Sequence, residues 1–284
     1  GSKVPKRLRS SMQRYAMFTL GGGLAAVGFG SVDQLMLGAM LRDGLAYVAV
    51  YAVSIYMATL ILIPARSLVL PSMPLLASAW RRRDHKTIAT IYHRSVSIQL
   101  VIGAYLFLCL WSSSDLLYTF MKPGYDIGRS SMLIIGVANV IALASGLSGS
   151  IVATSRSYWF DAMSGVALIL LSAGFDFVLI KHMGFVGAAW STLIAFTAVS
   201  SSRVYFLRKR YGLWPYDNRT IWTAALALAL GVALWLMPTI GDVWMNAIVR
   251  VLLITVPYWL VVHRLRIAPE LADQALKVLG RSRS

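Results

Sequence analysis

Residues 81 to 110 read RRRDHKTIATIYHRSVSIQLVIGAYLFLCL, and the change of character partway along them decides the fold. Arg81, Arg82, Arg83, Lys86 and Arg94 crowd the first half, whereas residues 95 to 110 hold no charged side chain. A hydrocarbon layer about 30 Å thick takes roughly 20 apolar residues in helix, because nothing in lipid can satisfy a backbone N–H or C=O except the helix itself. The stretch therefore predicts a membrane-spanning helix near residues 88 to 110, entered from a basic loop.

The same alternation runs outward in both directions. It predicts spans near 15 to 40, 45 to 70, 88 to 110, 129 to 153, 158 to 180, 184 to 206, 220 to 238 and 243 to 263, about eight in all. Across the 284 residues 58% are hydrophobic and 13% charged, where a soluble domain carries roughly 25% charged residues. So few charges cannot cover a water-facing surface, and the expected class is an all-α integral membrane protein.

The net charge of +16 is distributed with a period. If the N-terminus is cytoplasmic, the inside segments are 1 to 14, 80 to 94, 154 to 157, 203 to 219 and 264 to 284. Of the 27 Lys and Arg residues, only Arg42, Lys122, Arg129 and Lys181 then fall outside, while Arg66 and Arg250 fall within spans. This is the positive-inside pattern, and it predicts an even number of spans with both termini cytoplasmic. A basic patch for nucleic acid on a soluble fold is excluded, and no nucleic-acid partner is expected. Trp80, Trp111, Trp159, Trp214, Trp222 and Trp244 lie near the predicted helix ends, as an aromatic belt would place them.

Catalytic and cofactor chemistry find no residues to carry them. Cys109 is the only cysteine and lies in an apolar run, which excludes an internal disulfide and any Cys/His metal spacing. No Gly-rich phosphate loop, paired metal histidines or nucleophile elbow is present. We expect no cofactor, no metal and no enzyme.

The polar residues inside the spans are the candidates for function. Asp33 sits late in the first span, where exposure to lipid costs at least about 2.5 kcal/mol. It is either a coupling-ion, proton or sugar contact, or a carboxylate hydrogen-bonded between packed helices. Arg66 stands among Pro64, Pro71 and Pro74, each of which removes a backbone donor and breaks or bends the helix. It either binds a phosphate bidentately from a cavity wall or snorkels to the inner interface. Arg250 either snorkels to the outer interface or lines the cavity. Asn139 and Gln99 are amides in mid-span, expected to bond between helices or to touch substrate. Asp176, near Lys181 and His182, reads as part of a surface cluster. Residues 112 to 126 predict a short amphipathic interface helix.

Three stretches resemble the second half of the polysaccharide flippases, a family of the multidrug/oligosaccharidyl-lipid/polysaccharide exporter superfamily. The first is Val32-Asp33-Gln34-Leu35-Met36-Leu37-Gly38, followed by Tyr47-Val48-Ala49-Val50-Tyr51-Ala52. The second is Leu70-Pro71-Ser72-Met73-Pro74, running into Arg81-Arg82-Arg83-Asp84. The third and most specific is Gly184-Phe185-Val186-Gly187-Ala188-Ala189, continuing to Thr192. Lys181 or His182 departs from a proline common there, and Asp176 from an asparagine.

The resemblance implies an exporter-type fold in which this chain supplies the second six-helix lobe, residues 15 to 206, and two additional helices, residues 220 to 263. Basic segments at 1 to 14, 207 to 219 and 264 to 284 would complete it. The implied function is the flipping of polyprenyl-diphosphate-linked oligosaccharide across a bacterial inner membrane, for cell-surface polysaccharide or lipopolysaccharide synthesis. Its implied partners are the lipid-linked oligosaccharide, membrane lipids and an N-terminal lobe outside this chain. Arg66, Arg250, Asp33 and Asn139 are the substrate-cavity candidates. The alternatives are an ion-coupled multidrug-type exporter, a membrane-embedded glycosyl or acyl transferase, and a non-transporting scaffold.

The topology is directly testable. In a Cys109→Ser background, Lys86→Cys and Lys122→Cys should react with an impermeant maleimide from opposite faces of the membrane. Labelling of both from one face would change the span count.

Overall fold

The computed structural model describes residue 17, residues 31 to 238 and residues 241 to 264. Every regular element among them is helical. Helix α1 covers residues 31 to 40. It is followed by α2 (Gly44–Thr59), α3 (Ile63–Arg82), α4 (His85–Ser112), α5 (Ser114–Thr119), α6 (Gly128–Ala144) and α7 (Ser148–Thr154). Then come α8 (Tyr158–Met183), α9 (Phe185–Tyr211), α10 (Asn218–Leu236) and α11 (Val243–Arg264). Six stretches are long and apolar enough to cross a membrane, and the bent pair α6 and α7 makes a seventh. The remaining expected span, 15 to 40, lies largely outside the described residues.

The exterior is apolar, as lipid requires: Leu228 is 70% exposed and Leu170 67%. Helices are fastened by polar bonds to one another's backbones. The Tyr258 hydroxyl of α11 donates to the Val101 carbonyl of α4 at 2.6 Å, and Tyr105 meets Thr255 at 3.0 Å, so the last helix docks on α4. Trp80 Nε1 of α3 donates to the Ile151 carbonyl of α7 at 3.1 Å. Such bonds are favoured where no water competes for the groups.

Two spans differ from their sequence expectation. The run expected at 45 to 70 belongs to a 39-residue stretch, Gly44–Arg82, about 58 Å long. It continues as helix past the hydrocarbon into the basic end. The expected proline breaks at Pro71 and Pro74 do not form, and both residues stay inside α3. The interruption is a single 3-10 turn, Leu60–Leu62, placed so that Pro64 falls in the first turn of α3, where its missing N–H is unneeded. Conversely, the span expected at 129 to 153 is bent by 49° between α6 and α7. Ser95 of α4 supports the break: its hydroxyl oxygen accepts from the Leu147 N–H at 3.2 Å, supplying a partner that the interrupted helix no longer offers.

The connections alternate between two ends as the charges require. Residues from the α3–α4 and α7–α8 connections border one recess, which holds Arg81, Arg83 and Arg156. At the opposite end Phe120, following α5, meets Trp244 of α11 with ring centroids 5.4 Å apart. The expected interface helix is present but short, six residues, and the Arg129–Asp115 ion pair at 2.5 Å ties its first turn to α6.

The motif Gly184-x-x-Gly187-Ala188-Ala189 has a physical reason. Gly184 joins α8 to α9 at φ +61°, a conformation that side chains disfavour. A Cβ on Gly187 would collide with the Leu179 carbonyl of α8, so the first turn of α9 presses directly on α8. Ala188 and Ala189 fill what space remains, fully buried beside Leu37 and Tyr51. Gly187→Ala should therefore lower the melting temperature in detergent by several degrees, whereas Gly174→Ala, with nothing near its Cβ, should leave it unchanged. Equal melting temperatures would show that the α8–α9 contact is dispensable.

Candidate functional site

Asp33 is 3% exposed and is held by three helices besides its own. One carboxylate oxygen accepts from the Tyr51 hydroxyl of α2 at 2.8 Å and from the Thr192 hydroxyl of α9 at 2.5 Å. The other accepts from the Ser172 hydroxyl of α8 at 2.9 Å. Ser172 lies about 16 Å along α8 from Met183, which puts the cluster within the membrane-crossing part of the fold.

Asp176, one helical turn beyond Ser172, belongs to the same cluster. Its side chain is fully buried and lies against Asp33, so the expected surface cluster with Lys181 and His182 does not form. Those two side chains point outward and are exposed, because α8 runs on to Met183 and turns a different face inward. Neither oxygen of Asp176 accepts a well-formed hydrogen bond, although Asp33, Ser172 and Ser191 all lie beside it. The nearby hydroxyls are already committed. Ser172 donates to Asp33, and Ser191 donates to the Ser172 carbonyl at 2.9 Å. Two carboxyl groups therefore adjoin with three hydroxyls around one of them and none donated to the other.

The donor set is all oxygen, which suits a proton or a hard cation and not a soft metal. No group of three or more His, Cys, Asp or Glu side chains occurs among the described residues, so a multidentate divalent site is not offered. Two bare charges in contact at a buried position are costly, since Coulomb repulsion grows as the local dielectric falls. A proton or a monovalent cation between them removes that cost.

The other sequence candidates are scattered. Arg66 is exposed on α3 and makes no ion pair or hydrogen bond among the described residues. Arg250 is bound to the α10–α11 connection: its terminal nitrogen donates to the Met237 carbonyl at 2.9 Å. Asn139 is 3% exposed and donates from Nδ2 to the Ala58 carbonyl at 2.9 Å, fastening α6 to α2. Asp33 and Asp176 thus come together, while Arg66, Arg250 and Asn139 stand apart. The residues missed from sequence are Tyr51, Ser172 and Thr192. The i, i+4 spacing of Ser172 and Asp176 in an otherwise apolar helix is the signal that places them on one face.

A second feature lies on the flank, where α4, α6 and α10 enclose an apolar groove of about 800 Å³. Leu100, Phe107, Val140, Ile141, Ala224 and Leu228 are among its walls. From Thr220 to Trp235 it follows α10 for about 22 Å, most of the thickness of a hydrocarbon layer.

Removing the carboxylate at the hub strands the Ser172 hydroxyl and leaves Tyr51 and Thr192 only their own 3.3 Å contact, and a buried hydroxyl without a partner carries a desolvation penalty of roughly 1 to 3 kcal/mol. Asp33→Ala should therefore lower the detergent melting temperature clearly more than Asp176→Ala, which strands none. The reverse order would show that Asp33 is not the hub.

Comparison with known proteins places the fold. No family model matches the sequence, and no curated protein matches it. Among solved structures the chain is similar to the outward-facing conformation of a multidrug resistance MATE family transporter of the MOP superfamily. The TM-score is 0.61 at 16% identity, covering 78% of this chain and 53% of that one. It is also similar to a MOP superfamily transporter from Pyrococcus furiosus, described as having a binding pocket of reverse polarity that suggests a different function. Here the TM-score is 0.53 at 14% identity, with the same two coverages, 78% and 53%. The chain therefore spans about half the length of the structures it matches, and over the 78% of it that is covered it shares their all-α membrane fold.

Proposed function

We propose that this multi-pass membrane chain acts as one lobe of a transporter that moves a polyprenyl-diphosphate-linked oligosaccharide between leaflets of a bacterial inner membrane. The cycle is alternating access without bond chemistry, and it needs a second lobe. The observation that carries the lipid-linked substrate is the apolar groove along α4, α6 and α10. A groove that follows the membrane normal accommodates an extended isoprenoid chain while the polar head crosses elsewhere. The unpaired guanidinium of Arg66, on an exposed face of α3, is suited to hold a diphosphate by two parallel N–H···O bonds.

Asp33 and Asp176 supply the coupling in this reading. Their occupancy by a proton or monovalent cation changes the repulsion between α1 and α8, so it biases the packing of α1 on the rest of the lobe. A second reading, an ion-coupled exporter of drug-like cations, is favoured by the same acid pair and by the likeness to a multidrug transporter. The groove distinguishes the two, because a soluble drug has no use for it.

Gly231 lines the groove and its Cβ direction points toward Trp111 at 3.3 Å. Gly231→Leu in the complete protein should reduce export of the surface glycan about tenfold at unchanged membrane abundance, and Arg66→Ala should do the same. Glycan export unchanged in both variants, with drug efflux lost in Asp176→Asn, would replace the lipid-linked reading with the multidrug one.

A further inference from the structure

At the basic end of the fold, side chains from five helices and their connections surround an open recess of about 830 Å³. Arg81, Arg83 and His85 enter it from the α3–α4 connection and Arg156 from the α7–α8 connection. An adjoining recess shares His85, Arg156 and Tyr211 and adds Arg210 from the end of α9. None of Arg81, Arg83, Arg156 and Arg210 makes an ion pair among the described residues. Asp84, between Arg83 and His85 in the sequence, is otherwise engaged. It accepts from the Thr87 backbone N–H at 3.0 Å and from the Thr87 hydroxyl at 2.6 Å, capping α4. That hydroxyl bond holds its carboxyl below the usual range, so it stays a charged cap for α4.

The walls are fixed before anything binds. Trp80 is anchored to the Ile151 carbonyl and packs on Tyr211 with centroids 4.7 Å apart. Tyr211 is bonded in turn to the Ser157 hydroxyl at 2.9 Å. His85 rests edge-on against Trp80 at 5.6 Å. Helix α8 begins at this recess without a side-chain cap, so its free backbone N–H groups add to the field of the arginines, whereas the start of α4 is already neutralised by Asp84.

Two simpler explanations account for part of this. Retention of positive charge on one side of a membrane explains why basic residues are numerous at this end. Helix dipoles explain Arg81 and Arg82 in the last turn of α3 and Arg208 to Arg210 in the last turn of α9. Neither explains why Arg156, in a different connection, closes the same concavity as Arg83. Nor does either explain Arg83 itself, whose φ of +57° is one that glycine usually takes at a helix end.

We propose that this recess is a binding site for a phosphate headgroup, independent of the transport reading above. Arginine forks match phosphoryl oxygens bidentately, and a basic pocket between helices at a membrane surface is suited to an anionic lipid head. Trp159, bordering the adjoining recess and 45% exposed, sits at the depth where indole rings favour the headgroup layer.

The test uses the full chain purified in a neutral detergent. Short-chain dioctanoyl phosphatidylglycerol, dioctanoyl phosphatidylcholine and inorganic phosphate are titrated separately, with binding read by native mass spectrometry and by melting temperature. Phosphatidylglycerol should bind saturably and phosphatidylcholine should not. Arg81→Gln combined with Arg156→Gln should weaken binding about tenfold or more. Arg219→Gln combined with Arg264→Gln, which removes as much charge from the same end outside the recess, should not. If inorganic phosphate binds as tightly as the lipid and is lost in the same double variant, the site stands with a soluble phosphate as its occupant. Equal weakening in both double variants would show a diffuse surface charge and overturn the recess as a site. The two double variants should melt together without ligand, which separates lost binding from lost folding.

Discussion

Hydrocarbon neither donates nor accepts a hydrogen bond, so each polar group that enters it must bring its partner along. Asp33 shows the consequence most fully. Its carboxylate draws hydroxyls from α2, α8 and α9 onto α1, and those bonds bring four helices to a single point. The same constraint explains the smaller fastenings. Asn139 spends an amide proton on α2, Tyr258 a phenol proton on α4, and Ser95 lends an oxygen to the broken span at Leu147. Against this background the exceptions are informative. The oxygens of Asp176, the amide nitrogen of Gln99 and the hydroxyls of Tyr92 and Ser131 are among the buried atoms without a well-formed hydrogen bond, and natural folds keep few such groups.

Much of the fold was legible because depth along a helix is written in hydropathy and charge. The run after Arg94 and the return of arginines every second connection needed no structure to interpret. The Gly-x-x-Gly-Ala-Ala stretch was legible as a motif, but its reason, the contact of Gly187 with the Leu179 carbonyl, required the geometry. Rotation of a helix about its own axis was not legible. Helix α8 is apolar on nearly every side, so its sequence scarcely marks which face turns inward. Asp176 was accordingly read with its neighbours Lys181 and His182 and not with Ser172. The partner of Arg250 was not legible either: no pattern could show that the carbonyls closing α10 would come within its reach.

The prolines of α3 show a local rule overridden by its surroundings. Three prolines in so short a stretch would end a helix in water, where the freed carbonyls gain by turning to solvent. Here the chain takes its one interruption at Leu60–Leu62 and carries Pro71 and Pro74 through. The extension of α3 to Arg82 then carries its last arginines to the recess that Arg156 also borders.

Placing the acid pair on α1 and α8 has a mechanical implication for the proposed cycle. The other three helices at Asp33 belong to one block: α8 and α9 are joined by the tight Gly184 turn, and α2 is tied by Asn139 to α6, which packs on α9. Helix α1 is joined to that block through its own carboxylate. A change in what sits between Asp33 and Asp176 therefore acts on the junction of α1 with that block. A ligand shifts a conformational equilibrium only by its difference in affinity for the two states. For a single small occupant that difference is greatest where two carboxyl groups either share it or are pulled apart, and the junction of α1 with α8 is such a place.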